Sequence, residues 1–486
     1  MTSIHRSLII ALVERYALVA LSLLSSIIVA RLLTPTEIGI YAIATAFIGV
    51  AQAVRDVGVG SFLIREPKLS EIHVRSALGV SLLLGCAFFA AYLFISHFAA
   101  YVFGEVRVKY VLQIVALNFV VLPFCSISIA LLRREMQFGR LLIVNVTAAT
   151  VGMCVIVSLA LLGYGPASMA WGSVAANVTT GLVAWGFRTD RRFIWPSLSQ
   201  WRPIVRFGTQ TTLAAVMWSA AVDLNDLIVG KVLGFSPLAL LSRAQGLMNL
   251  FNRDIMSAVR GVLYPAFARA FREREPVNAL YIAGVANVTV FAWPFYGMAA
   301  LYPLEIIRLL FGPQWDSAAP LVPVFCVAGA VASIFNLIAP WMTAMGRVEL
   351  LTVAELIVQP MRVVAIAIAA LHYQTIFACA VASLIVTILA VPVFYGAKSR
   401  CGETQYRQLL RVMWQSGKVT LLSLSVPAAV AVYVGLGRSH PVSILVPILT
   451  FAIGAAVWVA STTWFAHPIT TTPIYRNAFG RFVASK

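Results

Sequence analysis

The sequence predicts an all-α integral membrane protein with about fourteen transmembrane helices. Three observations predict it. Hydrophobic residues make up 60% of the 486 positions and charged residues only 11%, where a soluble globular chain carries roughly a quarter charged. Mean hydropathy is +0.90. Apolar runs such as 77–103 continue past the length of about 20 residues that a helix needs to cross the hydrocarbon, without the period-two alternation of barrel strands.

On that ruler the spans fall at roughly 7–30, 39–64, 77–103, 110–132, 141–163, 167–187, 205–230, 237–263, 279–303, 318–340, 350–371, 374–396, 418–436 and 442–465. The first apolar run continues to Ala30 with no cleavage pattern, so it reads as a permanent span. The second follows the turn Thr34-Pro35-Thr36-Glu37. Prolines 123, 294, 340, 360, 392 and 427 lie inside or at the ends of spans, where they kink helices or simply fit rigid packing. Segment 405–415, with Leu409, Leu410, Val412 and Met413 beside Arg407 and Arg411, reads as an interfacial amphipathic helix or as a plain connector. Trp195, Trp201, Trp315 and Trp414 sit near span ends and read as interface anchors. Trp171, Trp185, Trp218 and Trp293 lie deeper, for core packing ahead of sugar stacking.

The net charge of +18 is a matter of sidedness. Arg6, the loops 65–75, 133–140, 188–206, 269–275, 347–349 and 398–418, and the tail carry 24 basic and 8 acidic residues; the alternate loops carry 6 and 4. The basic side is the cytoplasm by the positive-inside rule, which places both termini inside. Such a surplus faces anionic membrane lipids and implies no nucleic acid. The six cysteines form no CxxC pair, so neither a disulfide framework nor a zinc site is indicated. The sequons at Asn145, Asn177 and Asn287 lie inside spans and read as chance.

The chain also repeats. Ile228-Val229-Gly230-Lys231 echoes Ile28-Val29-Ala30-Arg31, a turn and a further span follow in both, and Arg253-Asp254 echoes Arg55-Asp56. Both copies begin on the same side, so they are parallel repeats. The domain reading is a six-helix lobe at 1–187, a basic linker at 188–204, a second six-helix lobe at 205–396, and helices 13–14 with a tail at 397–486.

Six residues of each sign remain inside the spans, all on spans one, two, seven, eight and eleven. The bases are Arg15, Arg55, Arg243, Arg253, Arg260 and Arg362; the acids are Glu14, Asp56, Asp223, Asp226, Asp254 and Glu355. A charge at bilayer depth costs about 2.5–3.5 kcal/mol on insertion scales and marks function by default. Gln245, Asn249, Arg253, Ser257 and Arg260 recur at helical steps as one polar stripe, and Glu355, Gln359 and Arg362 as another. Two readings stand: opposite charges pair across helices, or the stripes line a water-filled cavity. Paired charges stabilise helices no better than apolar packing does, which favours the cavity. There Arg15, Arg55, Arg253, Arg260 and Arg362 would receive an anionic headgroup through the planar guanidinium fork. Gln245 and Asn249 would add a polar face, and the carboxylates would neutralise the empty site or take coupling ions. Arg243 lies shallow and is expected to snorkel outward. No phosphate-binding loop, HExxH or GxSxG motif is present and the six histidines are scattered, so no enzyme, metal or cofactor is expected.

Three stretches carry a family resemblance: 28–66, which includes TPTEIGIYAIATAFIGVAQAVRDVGVG; 207–269, which includes LLSRAQGLMNLFNRDIMSAVRGVLYPAFAR; and 311–320, FGPQWDSAAP. Together these resemble Wzx-type flippases of the polysaccharide transport family, within the multidrug/oligosaccharidyl-lipid/polysaccharide exporter superfamily, nearest to colanic-acid and xanthan exporters. The resemblance covers the first twelve spans. It implies two six-helix lobes around a central cavity that opens alternately to either side. It also implies an undecaprenyl-diphosphate-linked glycan as cargo for exopolysaccharide, capsule or O-antigen synthesis, a bacterial inner membrane, a coupling H+ or Na+, and polymerase and chain-length/export proteins as partners. The rival readings are a drug or cation antiporter of the same superfamily and a lipid-linked peptidoglycan precursor flippase. A membrane glycan polymerase or ligase would need larger external loops than the sequence allows.

Overall fold

The computed structural model describes residues 2–55, 59–66, 69–187, 195–402, 404–435, 442–471 and 475. The described residues are helical and include no strand. Ten helices among them are long and apolar enough to cross a membrane. The other four expected spans coincide with helices α2–α3, α8, α9 and α10–α11 below, which are richer in small and polar residues.

The chain divides into two compact units, Met1–Ala239 and Leu240–Lys486. The first holds α1 (Thr2–Leu32), α2 (Pro35–Arg55), α3 (Val59–Arg65), α4 (Glu71–Phe103), α5 (Val106–Ala116), α6 (Asn118–Arg134), α7 (Phe138–Leu161), α8 (Pro166–Gly186) and α9 (Trp201–Val232). α7 packs on α8 and α1, α6 on α4 and α8, and α9 on α2. The lobe division expected at 188–204 follows the sequence repeat; the division at Ala239 follows packing, because α9 lies against α2.

A capping box starts α2: Thr34 N donates to Glu37 Oε2 at 2.8 Å and Glu37 N to Thr34 Oγ1 at 3.3 Å. α2 passes so close to the start of α10 that a Cβ at Gly39 would overlap the Phe235 backbone. Two arginines from the basic loops are helix caps. Arg134 Nη1 donates to the carbonyls of Leu63 and Glu66, each at 2.6 Å, closing α3, and Arg140 Nη1 donates to Phe187 O at 3.0 Å, closing α8. Cations there satisfy orphan carbonyls and meet the negative helix end.

α10 (Phe235–Asn249) carries the division within it, and the second unit continues with a π-helical segment (Leu250–Ile255), α11 (Met256–Arg272), α12 (Val277–Leu301) and α13 (Pro303–Phe311). A 3-10 turn (Pro313–Leu321) then precedes α14 (Val322–Phe335), α15 (Ile338–Ala344), α16 (Val348–Ile368), α17 (Ile376–Ser399), α18 (Tyr406–Val434) and α19 (Leu445–Trp464). α12 is central, packed on α14 and α18; α17 joins α14 and α16, and α19 packs on α18. The expected amphipathic segment 405–415 is the first part of α18, continuous with its membrane-crossing portion.

Several side chains depart from expectation. Trp315 is fully buried, not an interface anchor, and Trp171 and Trp185 are exposed, not core. Trp293 is packed, its Nε1 donating to Ala330 O at 3.1 Å. Trp218 has its side chain outside the described residues. Lys398, placed by position in a basic loop, is fully buried at the end of α17.

Candidate functional site

α2 is described as far as Arg55 and α3 from Val59. In the second unit Arg253 and Asp254 lie in the π-helical turn between α10 and α11. π turns insert an extra residue and concentrate at functional sites. Asp56 and the side chains of Arg55, Arg253 and Asp254 lie outside the described residues.

In the first unit, Glu14 on α1 accepts from Asn145 Nδ2 on α7 at 2.5 Å, so this sequon asparagine is a half-buried polar partner. Arg15 beside it is exposed. On α9, Asp223 accepts from Ser219 Oγ at 2.9 Å. Its carboxylate rests on α2 where Gly49 leaves a gap, and a Cβ there would overlap it. Asp226, one turn on, is half-buried. Nearby, Tyr92 OH donates to Phe47 O at 2.6 Å. A second line runs between α6 and α8: Asn177 Nδ2 donates to Asn118 Oδ1 at 2.8 Å and Asn118 Nδ2 to Ser173 Oγ at 3.1 Å.

In the second unit, Gln245 and Asn249 are half-buried on α10. The expected stripe from Gln245 to Arg260 runs across the π turn at Leu250–Ile255. Arg260 reaches back across that turn, its Nη2 3.4 Å from Asn252 O, and Asn252 Oδ1 accepts from Asn336 Nδ2 on α14 at 2.9 Å. On α16, Gln359 Nε2 donates to Glu355 Oε2 at 2.7 Å. Gln359 Oε1 and Arg362 Nε are buried with no hydrogen-bond partner among the described residues. A buried donor or acceptor left so costs about 1–3 kcal/mol, as expected of groups kept for a ligand.

Arg243 does not snorkel. Its guanidinium carbon lies 5.2 Å from the ring of Phe311 and 5.2 Å from that of Trp315, a cation between two π faces. The adjoining Arg308 and Asp316 form an ion pair at 2.5 Å. The FGPQWDSAAP stretch therefore fastens α10, which removes Arg243 from the free cations.

Sequence reasoning missed an apolar cavity of about 1400 Å³ that lies within the second unit among α11, α12, α18 and α19, lined by Phe251, Met256, Phe291, Phe295, Leu424 and Trp458 among others. Asn287 is its notable polar lining residue, with a buried Oδ1 that has no partner among the described residues. The signal available was that sequon asparagine, isolated in an apolar helix.

Membrane-crossing helices in two units, with a π turn at Arg253-Asp254 in the second, define a transporter-like membrane protein. The fold is similar to that of a lipid II flippase, MurJ, in an inward closed conformation: TM-score 0.75, 14% identity, over 95% of this chain and 99% of that one. It is also similar to an inward-facing multidrug resistance transporter of the MATE family, with TM-score 0.64 and 15% identity over 78% and 94% of the two chains. Residues 28–320 match the model of the polysaccharide biosynthesis protein family, and the chain belongs to that family. Among its relatives, the Escherichia coli K12 lipopolysaccharide biosynthesis protein WzxC is 22% identical over 343 residues, 68% of each chain. The Rhizobium meliloti succinoglycan biosynthesis transport protein ExoT is 24% identical over 338 residues, 66% of this chain and 65% of that one.

Proposed function

We propose that the protein is a flippase that carries lipid-linked oligosaccharide repeat units across the bacterial inner membrane, by alternating access, for exopolysaccharide, capsule or O-antigen synthesis. The observation that carries this reading is that the second unit holds both an apolar cavity and, on α16, buried polar groups without partners among the described residues. A cargo made of a long hydrocarbon, a diphosphate and a glycan needs both environments. The cavity offers hydrocarbon-like walls to an undecaprenyl chain, which burial stabilises at about 25 cal/mol per Å². Arg362, Arg260, Arg15, Arg55 and Arg253 are the cations for the diphosphate, whose oxygens match the guanidinium fork. Gln245, Asn249 and Gln359 suit glycan hydroxyls. Glu14, Asp56, Asp223, Asp226, Asp254 and Glu355 hold these arginines or take a coupling H+ or Na+. The termini are assigned to the cytoplasm, with polymerase and chain-length/export proteins as partners.

In a deletion strain, lipid-linked repeat units are expected to accumulate on the cytoplasmic leaflet and polymer secretion to stop. An Arg55→Ala, Arg253→Ala double variant should fail to restore secretion at normal protein level; full secretion from it would exclude the diphosphate role. The likeness to a lipid II flippase keeps a peptidoglycan-precursor cargo as a second reading. Its mark would be loss of viability on depletion. An antiporter would instead alter drug resistance on overexpression.

A further inference from the structure

Beyond α19 the chain turns back into the protein. Ala466 takes a left-handed conformation (φ 46°), and His467 N donates to Thr462 O at 3.0 Å. His467 is fully buried, and Ile469 and Tyr475 pack with Val290 of α12 and Val419 of α18. Tyr475 OH lies 2.8 Å from Thr462 Oγ1 and donates to Val459 O at 3.2 Å, both on α19.

The hydrogen bonds at His467 fix its tautomer. Nδ1 accepts from Ile469 N at 3.2 Å, so the ring proton sits on Nε2, 3.1 Å from Ser416 Oγ. Ser416 then donates to Thr289 Oγ1 at 2.9 Å, and Thr289 donates to Val285 O at 2.9 Å. The line runs one way, from the turned-back segment through α18 to α12. It points away from any base role for His467 toward Ser416, and it exists only while the imidazole is neutral. A proton on Nδ1 would face the Ile469 N–H. Among the described residues, the charged and titratable groups facing this knot are Lys418 of α18, with Nζ 5.6 Å from the Phe465 ring, and the Tyr475 phenol; α12 faces it with Thr289 and Val290, and α19 with Thr462.

The same helices wall the apolar cavity. Trp458, Val459 and Thr463 of α19 and Val288 and Phe291 of α12 line it. Trp458 joins cavity and knot: Nε1 donates to Val290 O at 2.9 Å, and its ring lies 4.9 Å from Phe291 and 6.2 Å from Tyr475. α19 packs on α18 and on the turned-back segment, which also packs on α12, so the knot adds a second tie between α19 and α12 beside that of Trp458. We propose that residues 467–471 together with Tyr475 form a latch that pins α19 against α12 and α18 and thereby governs access to the apolar cavity at its Thr463 end. This holds whichever cargo the cavity takes.

The test is a nitroxide label at a Thr463→Cys position, in a full-length chain lacking the six native cysteines, reconstituted in phosphatidylethanolamine/phosphatidylglycerol vesicles. Its accessibility to a water-soluble relaxation agent is read by electron paramagnetic resonance. His467→Ala and Ser416→Ala break the line at different points and should each raise the open population roughly ten-fold, the effect of losing one buried hydrogen bond. His467→Gln, which can still donate to Ser416, should raise it less. Unchanged accessibility in both alanine variants overturns the latch. So does a rise in His467→Ala alone, which would report lost packing. Where a variant does not fold, acid titration of the labelled parent decides: accessibility should rise as pH falls from 6.5 to 4, and a flat response overturns the proposal.

Discussion

Lys398 stands by position among the loop charges, yet its Nζ lies 4.4 Å from the Trp341 ring and 4.6 Å from that of Tyr281, and donates to Asn278 Oδ1 at 3.0 Å. It closes the ends of α12, α15 and α17 around one buried ammonium. Replacing it with Ala removes a desolvated cation–π pair and a charged hydrogen bond, together about 2–4 kcal/mol. Lys398→Ala should therefore lower the melting temperature of the detergent-solubilised protein clearly, while exposed Arg400→Ala leaves it unchanged; equal melting temperatures would contradict the knot. Gly49 makes a second prediction. Gly49→Ala should destabilise by forcing the Asp223 carboxylate off α2, and Asp223→Ala should relieve most of that loss. A double-mutant cycle in thermal stability should give a coupling above about 0.5 kcal/mol. Neither contact is legible in sequence, since each joins residues more than fifty positions apart.

At the scale of elements, the repeat was legible because hairpins of like spacing leave like patterns: a basic residue at a helix end, a turn, and a helix carrying Arg-Asp. Only the structure reveals that the second pair sits in a π turn, Leu250–Ile255, between α10 and α11. Hydrophobic periodicity assumes 3.6 residues per turn and cannot detect one wider turn. Deleting Leu250 should remove the extra residue and convert that turn to regular α-helix, with the flanking register of α10 and α11 kept. We expect polymer secretion to be lost while the protein still reaches the membrane at normal level. Secretion at the parental rate would mean that the π turn is incidental.

Across the whole molecule, the acid sensitivity of the His467 knot has a defined sign. Burial pushes the His467 imidazole from its usual 6.5 down to about 4. The folded protein then binds fewer protons than the unfolded chain between those values, so stability is complete above pH 6.5 and falls as pH drops toward 4. The loss is on the order of 2–3 kcal/mol. It should be the part of the pH dependence of melting that disappears in His467→Gln; an identical profile in that variant would show that other groups are responsible. The polysaccharide family assignment was legible at this scale because residues 28–320 keep patterns of small and apolar residues that helix packing demands. The apolar cavity was not legible. Its walls come from α11, α12, α18 and α19, and a lining Phe or Leu reads like any other lipid-facing residue.

By itself the sequence determined the membrane environment, the helical class, the repeat and the family. These follow from composition and local periodicity, through which hydrocarbon solvent and backbone hydrogen bonding act on every segment separately. Tertiary structure alone decided which polar groups are consumed and which are kept open. It placed Arg243 between two rings, Lys398 in an aromatic knot and His467 in a one-way line of hydrogen bonds, and it left Arg362 Nε and Gln359 Oε1 without partners among the described residues. A charge in a sequence has a type but no neighbours. Whether it serves the fold or a ligand depends on groups that meet it only when distant helices pack.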